Sequence, residues 1–223
     1  MITDCVADLH GFYPELEGGD LLIVAGDLTT KDDKEGYNAF SLWSEDQAKK
    51  YRKIIFIAGN HDSLLKNKTK WPMSWPNNYG DLEYLEDSYA LFDGLKIWGS
   101  PWTKTFDGMN PNCKAFTVDT EEELEEKWAL IPDDIDILIT HCPPYNILDE
   151  VESQEHCTSF YAGSPSLLKR VCEIKPKLHV FGHIHEGYGK LFLKFTGPNT
   201  WAVNASHVNE HYEPVNNPIR VIL

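Results

Sequence analysis

The feature that most constrains this chain is a series of short apolar runs, each followed by a polar side chain of the kind that binds metal ions. Residues 21–25 (LLIVA) are followed by Asp27, and residues 54–58 (IIFIA) by Asn60. Runs of this length and β-branched content predict strands, and their continuous apolar character predicts sheets that are covered on both faces. We therefore expect a fold built on buried strands.

Helical patterns lie between some of these runs. The predicted strands are residues 5–7, 21–25, 54–58, 96–98, 135–140, 178–181, 191–195, 201–203 and 219–223. A helix is predicted over residues 35–51, where apolar side chains recur at helical intervals. A second begins at Thr120, with Glu123 completing a capping box, and a third begins at Ser164-Pro165 and ends before Pro176. These elements predict one α/β domain over residues 1–223.

The residues that follow the predicted strands form the candidate site. Carboxyl ends of strands converge at one edge of a sheet, so we expect these side chains to meet. Five of the nine histidines belong to the set, which is Asp8, His10, Asp27, Asn60, His61, Asp62, His141, His183 and His185. Nitrogen and oxygen ligands without thiolate favour Mn, Fe, Zn, Co or Ni over Ca, and their number suits two divalent ions.

Charge and cysteine content limit the partners and the compartment. The chain has 20 Lys and Arg against 35 Asp and Glu, a formal net charge of −15. We therefore expect it to bind neither bulk nucleic acid nor anionic membranes, both of which need clustered cations. Its five scattered cysteines contain no C-x-x-C pair, and no signal peptide or membrane-spanning run is evident. A cytoplasmic location with free thiols is expected.

The order of the motifs carries a family resemblance. The motifs are Asp8-Leu9-His10, Gly26-Asp27, Gly59-Asn60-His61-Asp62, Thr140-His141 and Gly182-His183-Ile184-His185. In this order they resemble the calcineurin-like metallophosphoesterases. Residues 99–103 (GSPWT), 139–144 (ITHCPP), 175–189 and 204–206 (NAS) are more specifically similar to the metallophosphoesterase domain-containing, or brain-type, branch of phosphodiesterases.

The resemblance implies both a fold and a set of roles. It implies two packed mixed β-sheets flanked by helices, in four α/β/β/α layers. One ion is implied to be held by Asp8, His10 and His185, and the other by Asn60, His141 and His183. Asp27 is implied to bridge the two ions, of which manganese is the first expectation. His61 is implied to be catalytic, with Asp62 orienting its ring.

The hypothesis for function is hydrolysis of phosphodiester bonds in small, cyclic-nucleotide-like substrates. A hydroxide shared by two ions is expected to attack phosphorus, and His61 to stabilise charge or to donate a proton to the leaving group. A phosphomonoesterase or protein phosphatase with the same ions, and a non-catalytic scaffold, remain alternatives. Trp71, Trp75 and Trp102 either wall the site or pack structurally. His179 is predicted to lie in the core, and Cys142 to be a packing residue.

Overall fold

The computed structural model describes residues 1–66, 82–106, 109–153, 158–195 and 197–223. The strands in these residues are β1 Ile2–Val6, β2 Gly19–Ala25, β3 Tyr51–Ile57, β4 Leu82–Tyr84, β5 Ser88–Phe92, β6 Leu95–Ser100, β7 Thr103–Lys104, β8 Thr117–Val118, β9 Ile137–Thr140, β10 Glu150–Ser153, β11 Thr158–Tyr161, β12 Leu178–Phe181, β13 Gly189–Leu193, β14 Thr200–Asn204 and β15 Ile219–Ile222. The α-helices are α1 Lys34–Gln47, α2 Ser63–Lys66, α3 Glu121–Trp128 and α4 Pro165–Ile174.

Two large sheets form the centre of the molecule. The five-stranded sheet has the order β15-β1-β2-β3-β4, and the six-stranded sheet has the order β13-β14-β12-β9-β6-β5. The inner pairs are parallel, whereas β15, β13 and β5 pair antiparallel at the edges. Both sheets are therefore mixed, and the carboxyl ends of their parallel strands can meet along one rim.

Three apolar clusters bind the layers together. Between the sheets lies a cluster with Ile23, Ile55, Ile139 and Val180 at its centre, all fully buried. The outer face of the five-stranded sheet packs against α1, through Tyr37, Phe40 and Trp43. The outer face of the six-stranded sheet packs against α3 and α4 through residues such as Trp128, Leu138 and Val171. The expected α/β/β/α layering is confirmed, because each sheet buries one face on the other and one face on helices.

Helix ends follow the predicted capping chemistry. The Thr120 side chain accepts from the backbone of Glu123, whose carboxylate accepts from the backbone of Thr120 in return, so the capping box is complete. Ser164 caps α4 by accepting from Leu167, with Pro165 at the first helical position. These local interactions satisfy backbone donors that would otherwise lack partners, which is why the sequence locates these helix starts correctly.

Some predicted boundaries were wrong. The first helix ends at Gln47, and Tyr51 begins β3 instead of extending the helix. The Tyr51 hydroxyl donates to the carboxylate of Asp4 in β1, on the far side of β2. The polar sequence of residues 64–78, interrupted by two prolines, predicts an irregular loop. Most of it lies outside the described residues, and residues 64–66 belong to α2. Within the described residues, no helix has the length and apolar character required to cross a bilayer.

Candidate metal centre

The candidate site forms where strands of both sheets end. Asp8 and His10 follow β1, Asp27 follows β2, Asn60 and His61 follow β3, His141 follows β9, and His183 and His185 follow β12. Four of these residues hold a left-handed backbone, with φ of 48° at Asp8, 43° at His10, 53° at Asp27 and 69° at His183. Such a conformation turns the chain sharply at a strand end, and Asp and His adopt it more readily than bulky residues do.

Three groups of ligand-type side chains meet at this rim. Within each group, one ligand atom per residue lies within 4.8 Å of the others. The groups are Asp8 with His10 and His185, Asp8 with Asp27 and His141, and His10 with Asp27 and His61. Because Asp8, His10 and Asp27 each belong to two groups, the arrangement is one continuous cluster with room for more than one ion.

Asp27 lies at the centre of the cluster. Its Oδ2 atom is 3.4 Å from Nε2 of His141, 3.7 Å from Nε2 of His10 and 3.9 Å from Nε2 of His61. Its other oxygen, Oδ1, accepts a hydrogen bond of 2.9 Å from the backbone nitrogen of His61. A fully buried carboxylate surrounded by three imidazoles is suited to bridge two cations, as the resemblance implies.

Backbone carbonyls fix the ring orientation of two predicted ligands. Nδ1 of His141 lies 3.0 Å from the carbonyl oxygen of Ala25, and Nδ1 of His185 lies 3.0 Å from that of Asn209. A carbonyl can only accept, so Nδ1 of each ring carries a proton, and in the neutral ring Nε2 is the nitrogen that can bind a metal. Both Nε2 atoms face a carboxylate, Asp27 for His141 and Asp8, at 3.6 Å, for His185.

The same reasoning orients the Asn60 amide. Its Nδ2 donates a hydrogen bond of 3.1 Å to the carbonyl of Cys113, and its Oδ1 lies 3.0 Å from Nε2 of His141. Because Nδ2 is committed to an acceptor outside the cluster, the oxygen faces inward. The Asn60 oxygen therefore faces the cluster beside His141, where a neutral oxygen ligand is predicted.

Asp8 is held from several directions. Ser206 donates through its hydroxyl to Oδ2 at 2.7 Å, and the backbone nitrogen of His183 lies 2.9 Å from the same oxygen. Gly182 packs so closely that an added Cβ would lie 2.2 Å from Oδ2. The carboxylate is fully buried, so these donors are what make its charge tolerable there.

Burial and charge divide the site imidazoles into two kinds. Burial lowers the pKa of His10 to about 4 and that of His183 to about 3, so both are neutral near pH 7. Burial opposes charge on His141 as well, but the Asp27 and Asp8 carboxylates outweigh it and raise its pKa to about 9. The neutral rings are ready to ligate, whereas His141 must first lose a proton.

These residues fit a pair of divalent ions. Nε2 of His10 is buried and has no hydrogen-bond partner among the described residues, although it lies 3.7 Å from Oδ2 of Asp27 in the cluster. An orphaned imidazole nitrogen of this kind is what a cation would satisfy. His183 belongs to none of the three groups, but its ring lies 5.0 Å from that of His141, centroid to centroid.

In the described part of the chain, the Asp62 carboxylate is hydrogen-bonded to backbone nitrogens and not to the His61 ring. Its carboxylate accepts hydrogen bonds from the backbone nitrogens of Gly59, at 2.8 Å, and Leu28, at 3.1 Å, and from the hydroxyl of Tyr37. No hydrogen bond to the His61 ring is found among the described contacts of Asp62. The carboxylate instead holds the loop that carries Asn60, so any effect of Asp62 on His61 would pass through the backbone of that loop.

A cavity of about 580 Å³ opens beside the cluster. It is lined by ligand-type residues, including Asp27, His61 and His183, and by residues that sequence reasoning did not single out. The latter include Phe106, Cys113, Phe160 and Tyr212. Cys113 and Tyr212 reach the site from loops without periodicity, so no pattern in the sequence indicated them.

The tryptophans predicted as possible walls do not line this cavity where they are described. The Trp102 indole donates to Asp87 at 2.8 Å, and the ammonium of Lys127 lies 3.8 Å from the centre of its ring. Its role is packing, one of the two alternatives. Trp71 and Trp75 lie outside the described residues.

Two further residues match their predicted roles. His179 is fully buried in β12, where Nε2 lies 2.8 Å from the Thr140 hydroxyl. Cys142 is buried against α3 and α4, and burial raises its thiol pKa to about 12. A thiol with so high a pKa stays protonated at neutral pH and is a poor nucleophile.

Comparison with known proteins assigns the chain to a family. Residues 3–187 match the family model described as calcineurin-like phosphoesterase, and the chain belongs to that family. The family, together with the clusters of candidate ligands, supports metal-dependent hydrolysis of phosphoesters. The resemblance seen in the motifs is thereby confirmed.

Individual relatives extend the similarity along nearly the whole chain. The chain is 36% identical to Metallophosphoesterase domain-containing protein 1 of Homo sapiens, over 98% of this chain and 70% of the relative. It is 31% identical to UPF0046 protein T07D4.2 of Caenorhabditis elegans, over 96% of this chain and 58% of that protein. The crystal structure of TT1561 of Thermus thermophilus superposes with a TM-score of 0.61 and 16% identity, over 91% of this chain and 88% of that one, which is a likeness of fold alone.

Proposed function

We propose that this chain is a phosphodiesterase with two divalent ions, acting on small nucleotide-like substrates, cyclic nucleotides among them. The observation that carries the proposal is the position of the cluster at one wall of a cavity of about 580 Å³. That volume lies in the range of small-ligand sites, which is roughly 300–1,000 Å³. A single nucleotide can fit in a cavity of this size.

Aromatic side chains around the cavity support a substrate with a base. Phe106 is 59% exposed, Phe160 is 54% exposed and Tyr212 is 49% exposed, yet all three line the cavity. Exposed rings offer stacking surface to a nucleobase, and each such contact contributes about 1–3 kcal/mol to binding of a base. The Tyr212 ring also packs edge-on against His10, with 4.8 Å between centroids, which ties this wall to the metal cluster.

Charge around the cavity favours a diester over a monoester. The described lining contains one lysine, Lys104, and no arginine, and it includes the carboxylates of Glu186 and Glu210. A phosphomonoester carries up to two negative charges and is commonly held by a bidentate arginine. A diester carries one charge, so it needs less compensation by the protein beyond the ions themselves.

The chain's own residues then have distinct tasks. Asp8, His10 and His185 are proposed to hold one ion and Asn60, His141 and His183 the other, with Asp27 between them. Bound ions of this kind supply Lewis-acid charge and lower the pKa of water to near 7. His61 lines the cavity, its ring 19% exposed, and is proposed to donate a hydrogen bond or a proton to the phosphoryl group or its leaving oxygen.

The negative net charge of the chain limits which molecules it is proposed to bind. With a net charge of −15, the chain is proposed to exclude bulk nucleic acid and anionic membranes and to act as a cytoplasmic enzyme on small anions. The cation pair would be the strongest local source of positive charge.

Turnover of matched substrates tests the proposal. Protein loaded with Mn²⁺ is assayed with bis-p-nitrophenyl phosphate, p-nitrophenyl phosphate, and 2′,3′- and 3′,5′-cyclic nucleotides. We expect kcat/KM to be higher for the diester than for the monoester. Faster monoester turnover would establish the phosphomonoesterase alternative, and no turnover with both ions bound would establish the scaffold.

Base stacking on the aromatic residues that line the cavity is tested by a substitution with a matched control. Phe160→Ala should raise KM for cyclic nucleotides several-fold, whereas Tyr89→Ala, which removes an equally exposed ring on β5, should leave it unchanged. Equal effects of the two substitutions would remove the support for a stacked base.

A further inference from the structure

The Cys113 thiol contacts the ring of His61. Its Sγ atom lies 3.3 Å from Nδ1 of His61, although 52 positions separate the two residues in the chain. Both residues line the cavity, and Cys113 is half-buried there. No task proposed so far for the metal ligands involves this contact.

The backbone holds Cys113 against the residue that precedes His61. The Asn60 side chain donates to the Cys113 carbonyl at 3.1 Å, and the backbone nitrogen of Ala115 donates to the Asn60 carbonyl at 3.0 Å. The Cys113 nitrogen in turn donates to the carbonyl of Asn110 at 2.9 Å. The thiol is therefore carried on a segment fixed on both sides, and its position relative to the His61 ring is defined.

This contact differs in kind from those of the metal-binding rings. Nδ1 of His141 and Nδ1 of His185 each face a carbonyl oxygen, which can only accept. Nδ1 of His61 faces a thiol, whose ordinary pKa of about 8.5 leaves a proton on sulfur at neutral pH. An S–H donor needs the bare nitrogen of the ring as its acceptor, which leaves the ring proton on the other nitrogen.

We propose that Cys113 is a positioning residue that sets the tautomer of His61, so that Nδ1 accepts from the thiol and Nε2 carries the proton. In that state His61 presents a donor to the cavity, where Nε2 is 3.9 Å from Asp27 Oδ2. His10, Asp27 and His61 also form one of the three potential ligand groups. The thiol contact decides between a hydrogen-bond donor and a metal ligand at His61, because a protonated Nε2 cannot bind an ion.

The catalytic consequence of this inference rests on the proposed function, but the tautomer does not. It is read directly by ¹H–¹⁵N correlation of the histidine rings at pH 8, in protein loaded with diamagnetic Zn²⁺. The His61 signals are those lost in His61→Gln. We expect the proton on Nε2 in the wild-type protein, and on Nδ1 in Cys113→Asp, which replaces the thiol donor by an acceptor.

Two spectroscopic results overturn the proposal. One is a wild-type His61 with its proton on Nδ1, and the other is an Nε2 coordinated to zinc. Both can be observed in the wild-type protein, so the test does not depend on whether a substituted protein folds. Absence of phosphoester turnover would defeat the proposed function and leave this assignment of the tautomer intact.

Kinetics supply a second readout. Cys113→Ala should lower kcat for the diester by at least about tenfold with little change in KM, since His61 would lose its orientation and not its bulk. Cys113→Ser, which retains a hydroxyl donor, should recover most of that loss. Cys172→Ala removes an exposed thiol on α4 and is the matched control. Full kcat in Cys113→Ala, or failure of serine to improve on alanine, contradicts the positioning role.

Discussion

The Asp8 carboxylate accepts from the backbone nitrogen of His183, with its two oxygens 2.9 and 3.1 Å away, although 175 positions separate the residues in the chain. Asp8 follows a strand of the five-stranded sheet, and His183 follows a strand of the six-stranded sheet. The two halves of the candidate metal centre are thus joined by a charge-assisted hydrogen bond before any ion is considered. Changes at this junction should affect both binding and stability.

Asp8→Asn tests the junction as a metal site. The substitution preserves shape but removes the negative charge that faces Nε2 of His185 at 3.6 Å. We expect affinity for Mn²⁺, measured by calorimetric titration, to fall by more than about tenfold. Asp134→Asn, at an exposed carboxylate paired with Lys96, should leave affinity unchanged. Unaltered binding by Asp8→Asn would remove Asp8 from the ligand set.

Gly182→Ala tests how closely the two halves approach. The new Cβ would lie 2.2 Å from Oδ2 of Asp8 and 2.6 Å from Cβ of Ala7, so the backbone or the carboxylate must move. We expect the free energy of unfolding in urea to fall by about 1–3 kcal/mol, with weaker metal binding. Gly94→Ala is the comparison, because Gly94 has φ of +77° and open space around it. It should lose only about 1–2 kcal/mol through backbone strain and bind Mn²⁺ normally.

Asp62→Asn separates a structural from a catalytic role. The carboxylate holds the backbone of Gly59 and Leu28 together, and an amide can satisfy these donors with one oxygen only. We expect the free energy of unfolding to fall by about 1–3 kcal/mol, and kcat to fall much less than in His61→Gln. If Asp62→Asn keeps its stability but loses as much kcat as His61→Gln, Asp62 acts through His61 after all.

His179 should make stability depend on pH below neutrality. Burial lowers its pKa to about 3 in the folded protein, against about 6.5 when unfolded. The unfolded chain therefore binds a proton that the folded protein does not bind. The free energy of unfolding falls as pH falls below about 6.5. Between pH 7 and pH 5 this one group accounts for roughly 2 kcal/mol.

The measurement is urea unfolding of metal-free protein at both pH values. His179→Gln can still hydrogen-bond to Thr140 but cannot titrate, so it should lose about 2 kcal/mol less than the wild type between pH 7 and pH 5. His211→Gln alters a side chain that is 66% exposed and should keep the wild-type dependence. An unchanged pH dependence in His179→Gln would mean that the buried ring is protonated without penalty.

The parts of the fold that local chemistry determines were predictable. Helix starts at Thr120 and Ser164 follow from side chains that cap their own backbone, and the central strands follow from continuous apolar runs. Edge and short strands such as β4, β7 and β10 were not predicted, because they are two to four residues long and depend on pairing partners elsewhere.

The site was predictable to the extent that strand ends converge. Contacts made across the fold were not, and the pair of His61 and Cys113 is the clearest case, since no spacing rule links them. Asp62 is a second case. The resemblance implied that it orients the His61 ring, but the sequence did not indicate that its carboxylate accepts from the backbone of Gly59.

The left-handed backbone at Asp8, His10, Asp27 and His183 has a consequence for engineering and for evolution. Each such residue is held in a conformation that glycine would adopt more readily, and strain of this kind amounts to about 1–3 kcal/mol per residue. A library selected for thermal stability alone should therefore be enriched in glycine at His10 and His183, but not at Asp8 and Asp27, whose carboxylates also accept hydrogen bonds from the backbone of His183 and His61. The same selection would discard two candidate ligands, so that in this fold the most heat-resistant descendants would be those with an incomplete candidate metal centre.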